Sequence, residues 1–319
     1  VNARLGHHDG PLDAGSTEPR HLVVVGGGPA GMEFARVSAR KGHRVTLLEA
    51  AAVLGGTARF SSLTTPLNGE FIAYLEHELQ AEGVDVRLGV RADVATVAAL
   101  EPDAVVVATG ARRERPEVPG ADLPHVLTGD DLRALLTGDG PSRSSASLDR
   151  AAQLALRVAR STRLSRNMGF LTKASQYWMP VGRHVVVVGG GLVGLELAEF
   201  LAERDRRVTV LEPGTHLAVE MAHPRRWRAV HEARAHGITL VTEAEPVRIN
   251  SAEVHYRVGE IARTAPADTV IIASGVHPDT AIADELRLTG APVHVIGDAA
   301  DVGYIQGAVR SANDLAAQF

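Results

Sequence analysis

Three features of the 319-residue sequence predict an α/β fold made of two repeated units, the second inserted into the first. A glycine run follows an apolar strand twice, at Val23-Val24-Val25-Gly26-Gly27-Gly28-Pro29-Ala30-Gly31 and at Val186-Val187-Val188-Gly189-Gly190-Gly191-Leu192-Val193-Gly194. Eighteen residues past the last glycine of each run, an acid ends a further apolar strand, Glu49 and Glu212. Residues 23–49 and 186–212 share fifteen identities in twenty-seven positions, so the chain carries an internal repeat.

The elements follow in order. Residues 1–20 are polar, with scattered Pro and Gly and no periodicity, and read as an extended arm. The start at Val1 leads us to expect that the chain was cut from something longer. Residues 21–49 read strand, tight glycine turn, helix from Pro29 to about Lys41, and strand. Pro29 suits the first helical position, where a missing N–H costs nothing. Phe71, Ile72, Leu75 and Leu79 have helical spacing across 70–82. Residues 84–88 and 103–110 read as strands, the second buried on both faces because its apolar run does not alternate. A short capped helix is expected from Asp130, then a Gly/Ser-rich stretch. Residues 148–169 follow as an amphipathic basic helix, with Leu148, Ala151, Leu154, Ala155 and Val158 on one face and Arg150, Arg157 and Arg160 elsewhere. A solvated arginine face is the ordinary reading of that helix, and a docking surface for an acidic partner is the rarer one.

From His184 the first order recurs: strand, glycine turn, helix 192–204, strand 207–212, helix about 224–236, then strands ITLVTE and DTVIIASG. Residues 103–110 and 268–275 align at an offset of 165, against 163 for the glycine runs, so the repeat spans a whole folding unit. The closing segment has a buried strand and a helix but no third glycine run, and is assigned back to the first unit. The chain thus divides into an arm 1–20, a first unit 21–126 with 281–319, a linker 127–181, and a second unit 182–280.

Composition narrows the chemistry. An apolar fraction of 45% suits a soluble globular chain with two cores, and a net charge of −5 gives no reason to expect nucleic acid. Lysine occurs only at Lys41 and Lys173 against abundant arginine, which reads as codon bias. Cysteine is absent, which excludes a disulfide, a thiolate metal site and a redox-active Cys pair within the chain. No apolar run reaches the roughly 18 residues of a membrane span, and no signal-peptide pattern opens the chain, so no membrane partner is expected and the cytoplasm is the default location. His7-His8 reads as a solvated tail, and no metal site is expected.

The glycine positions have separate tasks. A pyrophosphate needs backbone N–H donors and the positive end of a helix dipole, approached closely. Gly26 and Gly189 make the tight turn, Gly28 and Gly191 admit the pyrophosphate, and Gly31 and Gly194 let helix pack on strand, with Pro29, Ala30, Leu192 and Val193 between them. Glu49 and Glu212 stand where a carboxylate accepts from ribose hydroxyls. Each copy has its strand, helix and acid, so the units are expected to be Rossmann-like and to bind a dinucleotide each. Glu212 would repel a 2′-phosphate and no arginine follows within Pro213-Gly214-Thr215-His216, which predicts NADH over NADPH.

Together with Ala108-Thr109-Gly110, Ala273-Ser274-Gly275, Leu54-Gly55-Gly56 and Ile296-Gly297-Asp298, these motifs resemble the two-dinucleotide-binding-domain flavoproteins, the superfamily of glutathione reductase. The resemblance covers about residues 20–319. It implies a glutathione-reductase-type fold with the NAD domain inserted in the FAD domain. The first fingerprint, Gly55, Gly56, Ala108, Thr109, Gly110, Gly297 and Asp298 would bind FAD, and the second fingerprint and Gly275 would bind NADH. Glu196 occupies the family's GxGxxGxE position near the nicotinamide, and reads equally well as a helix residue that caps or pairs locally. The disulfide reductases of this superfamily carry a Cys pair beside the flavin, and this chain has none.

Val1-Asn2-Ala3-Arg4-Leu5-Gly6-His7-His8 resembles the segment after the last cluster cysteine in 2,4-dienoyl-CoA reductase and related multidomain old yellow enzymes, with Ala3 in place of the usual proline. That resemblance implies an FMN-bearing TIM barrel and a 4Fe-4S cluster upstream of this chain. The expected activity is hydride transfer from NADH to FAD, with electrons passed on to that barrel and used to reduce an enone or enoyl thioester. Hydride transfer needs no general acid or base, which fits the lack of a Ser-His or His-Asp constellation, and Glu196 is the lone catalytic candidate. The alternatives are a free-standing NADH oxidase, diaphorase or ferredoxin reductase, and a non-catalytic nucleotide-binding domain.

Overall fold

The computed structural model describes residues 18–137, 168–177, 179 and 181–319. Most of the N-terminal arm, and all but the last two residues of the basic helix expected at 148–169, lie outside the described residues.

The first unit comprises the described chain up to Arg112 together with Val276–Phe319. Its leading part runs β1 (His21–Val25), α1 (Pro29–Arg40), β2 (Arg44–Glu49), α2 (Gly56–Ser61), α3 (Pro66–Ala81), β3 (Asp85–Leu88), α4 (Val94–Ala98), β4 (Ala104–Val107) and the first two residues of β5 (Ala111–Arg113). The helix expected over 70–82 starts earlier, because Pro66 is well placed at its first turn. The second unit spans Arg113–Gly275. It contains β6 (Val126–Thr128), α5 (Gly129–Thr137), α6 (Met168–Tyr177), β7 (His184–Val188), α7 (Leu192–Ala202), β8 (Arg207–Glu212), α8 (His223–Ala235) and β9 (Thr239–Thr242). It closes with β10 (Ala244–Ile249), β11 (Glu253–Val258), β12 (Ile261–Pro266) and β13 (Thr269–Ile272). The chain then completes the first unit through β14 (Val276–Pro278), α9 (Ala281–Leu286), β15 (Val293–Val295) and α10 (Tyr304–Ala316).

Each unit is built on a parallel five-stranded sheet, ordered β15-β4-β1-β2-β3 in the first and β6-β13-β7-β8-β9 in the second. The repeat extends to register: Val23 pairs with Thr46, and Val186 with Thr209. β1 is buried along its whole length because helices cover both faces. Leu22 and Val24 join a core with Phe34, Leu47, Leu75 and Leu79, while Val23 and Val25 join another with Val97, Ala283 and Leu286. The closing strand does return to this sheet, pairing with β4, but β15 is a three-residue, half-buried edge rather than a buried strand.

The second unit adds an antiparallel sheet, β10-β11-β12. Ile249, Val254, Tyr256 and Ala265 of that sheet pack with Val186, Val188, Val270 and Ile272 in one core. Val126–Thr128 forms the edge strand beside β13, and the helix that follows is capped at Thr128, whose hydroxyl accepts the Asp131 N–H at 3.1 Å while Asp131 accepts the Thr128 N–H at 2.9 Å. Among the described residues no helix is long and apolar enough to cross a membrane.

Candidate functional site

The two glycine runs form the turns from β1 into α1 and from β7 into α7, at the carboxyl ends of the strands where ligands of such sheets bind. Gly26 and Gly189 adopt φ +109° and +106°, backbone that L side chains rarely reach. The turn is closed in the same way twice: the Gly26 N–H donates to Leu48 O and the Gly189 N–H to Leu211 O, both at 2.8 Å. Gly31 and Gly194 are required for packing, since a Cβ on either would fall 1.9 Å from the carbonyl oxygen of Gly26 or Gly189.

Gly28 is different. A Cβ there would meet nothing within 4 Å, and as the residue that caps α1 it offers no side chain to the helix's first N–H groups. The space and the donors are left to a ligand, and an anion such as a pyrophosphate fits both. Gly191 likewise caps α7 without a side chain of its own, but there a Cβ would fall 2.8 Å from Glu220 Oε1.

Glu49 and Glu212 brace the turns. Glu49 accepts the Gly27 N–H at 2.7 Å on one oxygen and the Ala51 N–H at 2.6 Å on the other. Glu212 accepts the Gly190 N–H at 2.6 Å and the Gly214 N–H at 2.7 Å. Expected only as ribose acceptors, these carboxylates also hold the glycine turn to the end of the second strand. A carboxylate has about four lone-pair sites, so each keeps capacity for hydroxyl donors. Leu54, quoted in the sequence only as part of a loop motif, and Leu217, which sequence reading missed, cover the middle glycines: a Cβ on Gly27 would fall 2.4 Å from Leu54 Cδ2, and one on Gly190 2.4 Å from Leu217 Cδ2. The main chain repeats too, with the Gly55 N–H donating to Gly27 O at 2.7 Å and the Ala218 N–H to Gly190 O at 2.8 Å.

The remaining first-unit residues gather at this edge. Gly55 and Gly56 have φ +102° and +52°, and a Cβ on Gly56 would lie 3.5 Å from Gly28 Cα, so this loop borders the open glycine. Ala108 is buried, Thr109 is exposed, and Gly110 has φ +83° with open space around it. Gly297, at φ +63°, lies against the first turn of α1, where its Cβ would meet the Ala30 side chain at 2.7 Å. The next residue, Asp298, accepts the Gly303 N–H at 3.0 Å.

In the second unit, Leu192 is half-buried and Val193 exposed at the start of α7. Gly275, at φ +71°, lies beside Glu114, whose N–H donates to its carbonyl at 2.8 Å. Glu196 sits one turn into α7 and accepts from Arg225 of α8 at 2.9 Å. Burial pushes its carboxyl above the usual range, and Arg225 opposes that shift. Arg225, on another helix, was not foreseen in the sequence. Leu192 differs from its counterpart, Pro29, in having an N–H, which donates to Glu220 at 3.1 Å.

Comparison with known proteins agrees with this geometry. The family model described as pyridine nucleotide-disulphide oxidoreductase matches residues 4–99 and 91–296. The bilirubin reductase of Mediterraneibacter gnavus is 32% identical over 93% of this chain and 40% of that protein, and the NADH oxidase of Thermoanaerobacter brockii is 32% identical over 94% and 41%. The chain therefore spans about two-fifths of the length of these curated relatives. Among solved structures, a 2-naphthoyl-CoA reductase in complex with 2-naphthoyl-CoA superposes with a TM-score of 0.81 at 25% identity, over the whole of this chain and 43% of that one. With two glycine turns of one construction and a family match over most of its length, the chain belongs to the pyridine nucleotide-disulphide oxidoreductase family of FAD-dependent NAD(P)H oxidoreductases.

Proposed function

We propose that this chain is an electron-input module that takes reducing equivalents from NADH into FAD and passes them to an FMN- and 4Fe-4S-bearing enoate reductase part outside it. The observation that carries the nucleotide assignment is the doubled, carboxylate-braced glycine turn at the start of a helix, with an open glycine in the first copy and an exposed Glu220 carboxylate over the equivalent glycine in the second. In this reading Gly26, Gly28, Pro29, Ala30, Gly31, Glu49, Gly55, Gly56, Ala108, Thr109, Gly110, Gly297 and Asp298 hold FAD. Gly189, Gly191, Leu192, Val193, Gly194, Glu212 and Gly275 hold NADH, with Glu196 near its nicotinamide.

When bound, the flavin accepts hydride from the reduced nicotinamide, and the protein's part is orientation. Gly31 and Gly194 hold the strand-to-helix turns rigid, and the Glu49 and Glu212 carboxylates fix the loops against which the two riboses would rest. The absence of cysteine means that the chain's own residues provide no disulfide relay, so electrons must leave to another group. The onward acceptor rests on the likeness of residues 1–8 to the segment after a cluster cysteine, and on relatives that are well over twice as long as this chain.

A second reading, a free-standing NADH oxidase, is favoured by the name of one relative. Anaerobic NADH should bleach a yellow preparation of the chain, and turnover with oxygen alone should be slow until a barrel and cluster are supplied. A colourless protein that binds only ADP would overturn the redox reading, and fast aerobic turnover of the isolated chain would favour the oxidase.

A further inference from the structure

We propose that Glu220 is an internal competitor for the dinucleotide pyrophosphate at the second glycine turn, and that it thereby sets how tightly this chain holds its pyridine nucleotide. The inference rests on the reading of that turn as the NADH site.

The two turns are near copies, so their differences stand out. In the first, the helix begins with Pro29, which has no N–H, and a Cβ on Gly28 would meet nothing. In the second, the helix begins with Leu192, whose N–H donates to Glu220 Oε2 at 3.1 Å. A Cβ on Gly191 would fall 2.8 Å from Glu220 Oε1. One carboxylate thus covers both features that recommend the turn to a pyrophosphate, the open glycine and the first free donor of an eleven-residue helix. It is a chemical stand-in for the ligand: an anion at the positive end of a helix dipole, accepting from a backbone N–H.

Glu220 lies three residues past Leu217, the side chain that covers Gly190. The position 163 residues earlier, three past Leu54, is Thr57, which carries no charge. The competitor is therefore absent from the turn assigned to FAD and present at the turn assigned to NADH. A flavin is retained through many turnovers, whereas a nicotinamide nucleotide must leave after each one. An exposed carboxylate that returns to the helix end as the pyrophosphate departs would favour release. While the nucleotide is bound, the same carboxylate must swing away from a like charge, which costs affinity.

The test uses the full chain loaded with FAD, with NAD+ as the probe so that no turnover intervenes. Calorimetric titration should show Glu220→Ala binding NAD+ about two- to fivefold tighter, the scale expected for removing one charge from a helix terminus. Glu220→Gln, which keeps an acceptor but no charge, should fall between. Adenosine, which lacks the pyrophosphate, should bind both variants as it binds the parent. Retention of one FAD per chain certifies that each variant is folded. Unchanged or weaker NAD+ binding in the alanine and glutamine variants would overturn the proposal, provided Glu212→Ala still weakens binding. If the parent binds no NAD+, the reading of the second turn falls and the proposal falls with it.

Discussion

Gly31 and Gly26 are locked together: a Cβ on Gly31 would fall 1.9 Å from the Gly26 carbonyl oxygen, a backbone atom that cannot swing aside. The same relationship holds between Gly194 and Gly189. Gly31→Ala or Gly194→Ala must therefore move a helix off its strand, and each should destabilise its unit by about 3 kcal/mol or more. Denaturant unfolding measures this, and a loss below about 1 kcal/mol would show that the turn relaxes freely.

Gly28 gives the opposite expectation. Its backbone, φ −79° and ψ −179°, is ordinary for any residue, and an added methyl meets no protein atom. Gly28→Ala should leave the melting temperature within about 2 °C of the parent. If the open space belongs to a pyrophosphate, the same methyl should weaken FAD retention at least about tenfold, since a dinucleotide needs close approach there. A variant that keeps its full flavin content would show that the ligand does not pass Gly28.

Glu49 and Glu212 should separate the two nucleotides. Each carboxylate holds two backbone N–H groups, and a hydrogen bond to a charged group is worth about 1.5–3 kcal/mol. Glu49→Ala should lower FAD affinity about 10- to 100-fold and leave NAD+ affinity unchanged, and Glu212→Ala should do the reverse. Flavin fluorescence and NAD+ titration read these independently. Loss of both ligands in either variant would mean that the two turns are not separate sites.

Glycines and terminal acids were legible in the sequence because backbone chemistry allows few alternatives at those positions. A pyrophosphate turn needs residues without Cβ, and Gly26, Gly31, Gly189 and Gly194 meet that demand in the folded chain. The antiparallel sheet over 244–266 was not legible. Its strands expose much of their length, as in β12 with a single buried residue, and it adds no second copy for the repeat to reveal. Glu220 was equally silent, because its partner is a backbone N–H and the aligned residue in the first copy is Thr57. Leu54 and Leu217 do share the 163-residue offset, but they are an isolated identity beyond the acids, where the two loops otherwise diverge.

Glu199 should give the chain a pH-dependent stability. Its carboxyl is raised from 4.5 to about 7, first by burial and next by Glu232 across on α8, with Glu196 and Glu203 adding to the shift and His236 opposing it. One of its oxygens is buried without a hydrogen-bond partner. Below pH 4.5 the group is protonated whether the chain is folded or not. Between 4.5 and about 7 only the unfolded chain loses the proton, so stability falls as pH rises, and above 7 the loss is complete. Glu199 is partly solvated, so we expect a loss of about 1–2 kcal/mol rather than the full linkage value. Glu199→Gln should match the parent at pH 4.5 and exceed it by that amount at pH 8. Comparing the two proteins cancels the contributions of the lowered carboxylates Asp93 and Asp268. Parallel stability profiles in urea would refute the assignment.

In the proposed reading, the carboxylate that braces the second turn should also set the nucleotide preference. A 2′-phosphate would lie against Glu212, and the residues that follow, Pro213 to His216, supply no arginine to receive it. The parent should bind NADPH at least about tenfold more weakly than NADH, a gap set by like-charge repulsion. Removing the charge cannot simply reverse this preference, because Glu212 also anchors Gly190 and Gly214. Glu212→Ser should therefore lower NADH affinity as well, narrowing the ratio without producing a good NADPH site. Side-by-side titration of both nucleotides decides the matter: tighter NADPH binding by the parent would refute the preference. A serine variant that gains NADPH affinity while keeping NADH affinity would show instead that the brace is dispensable.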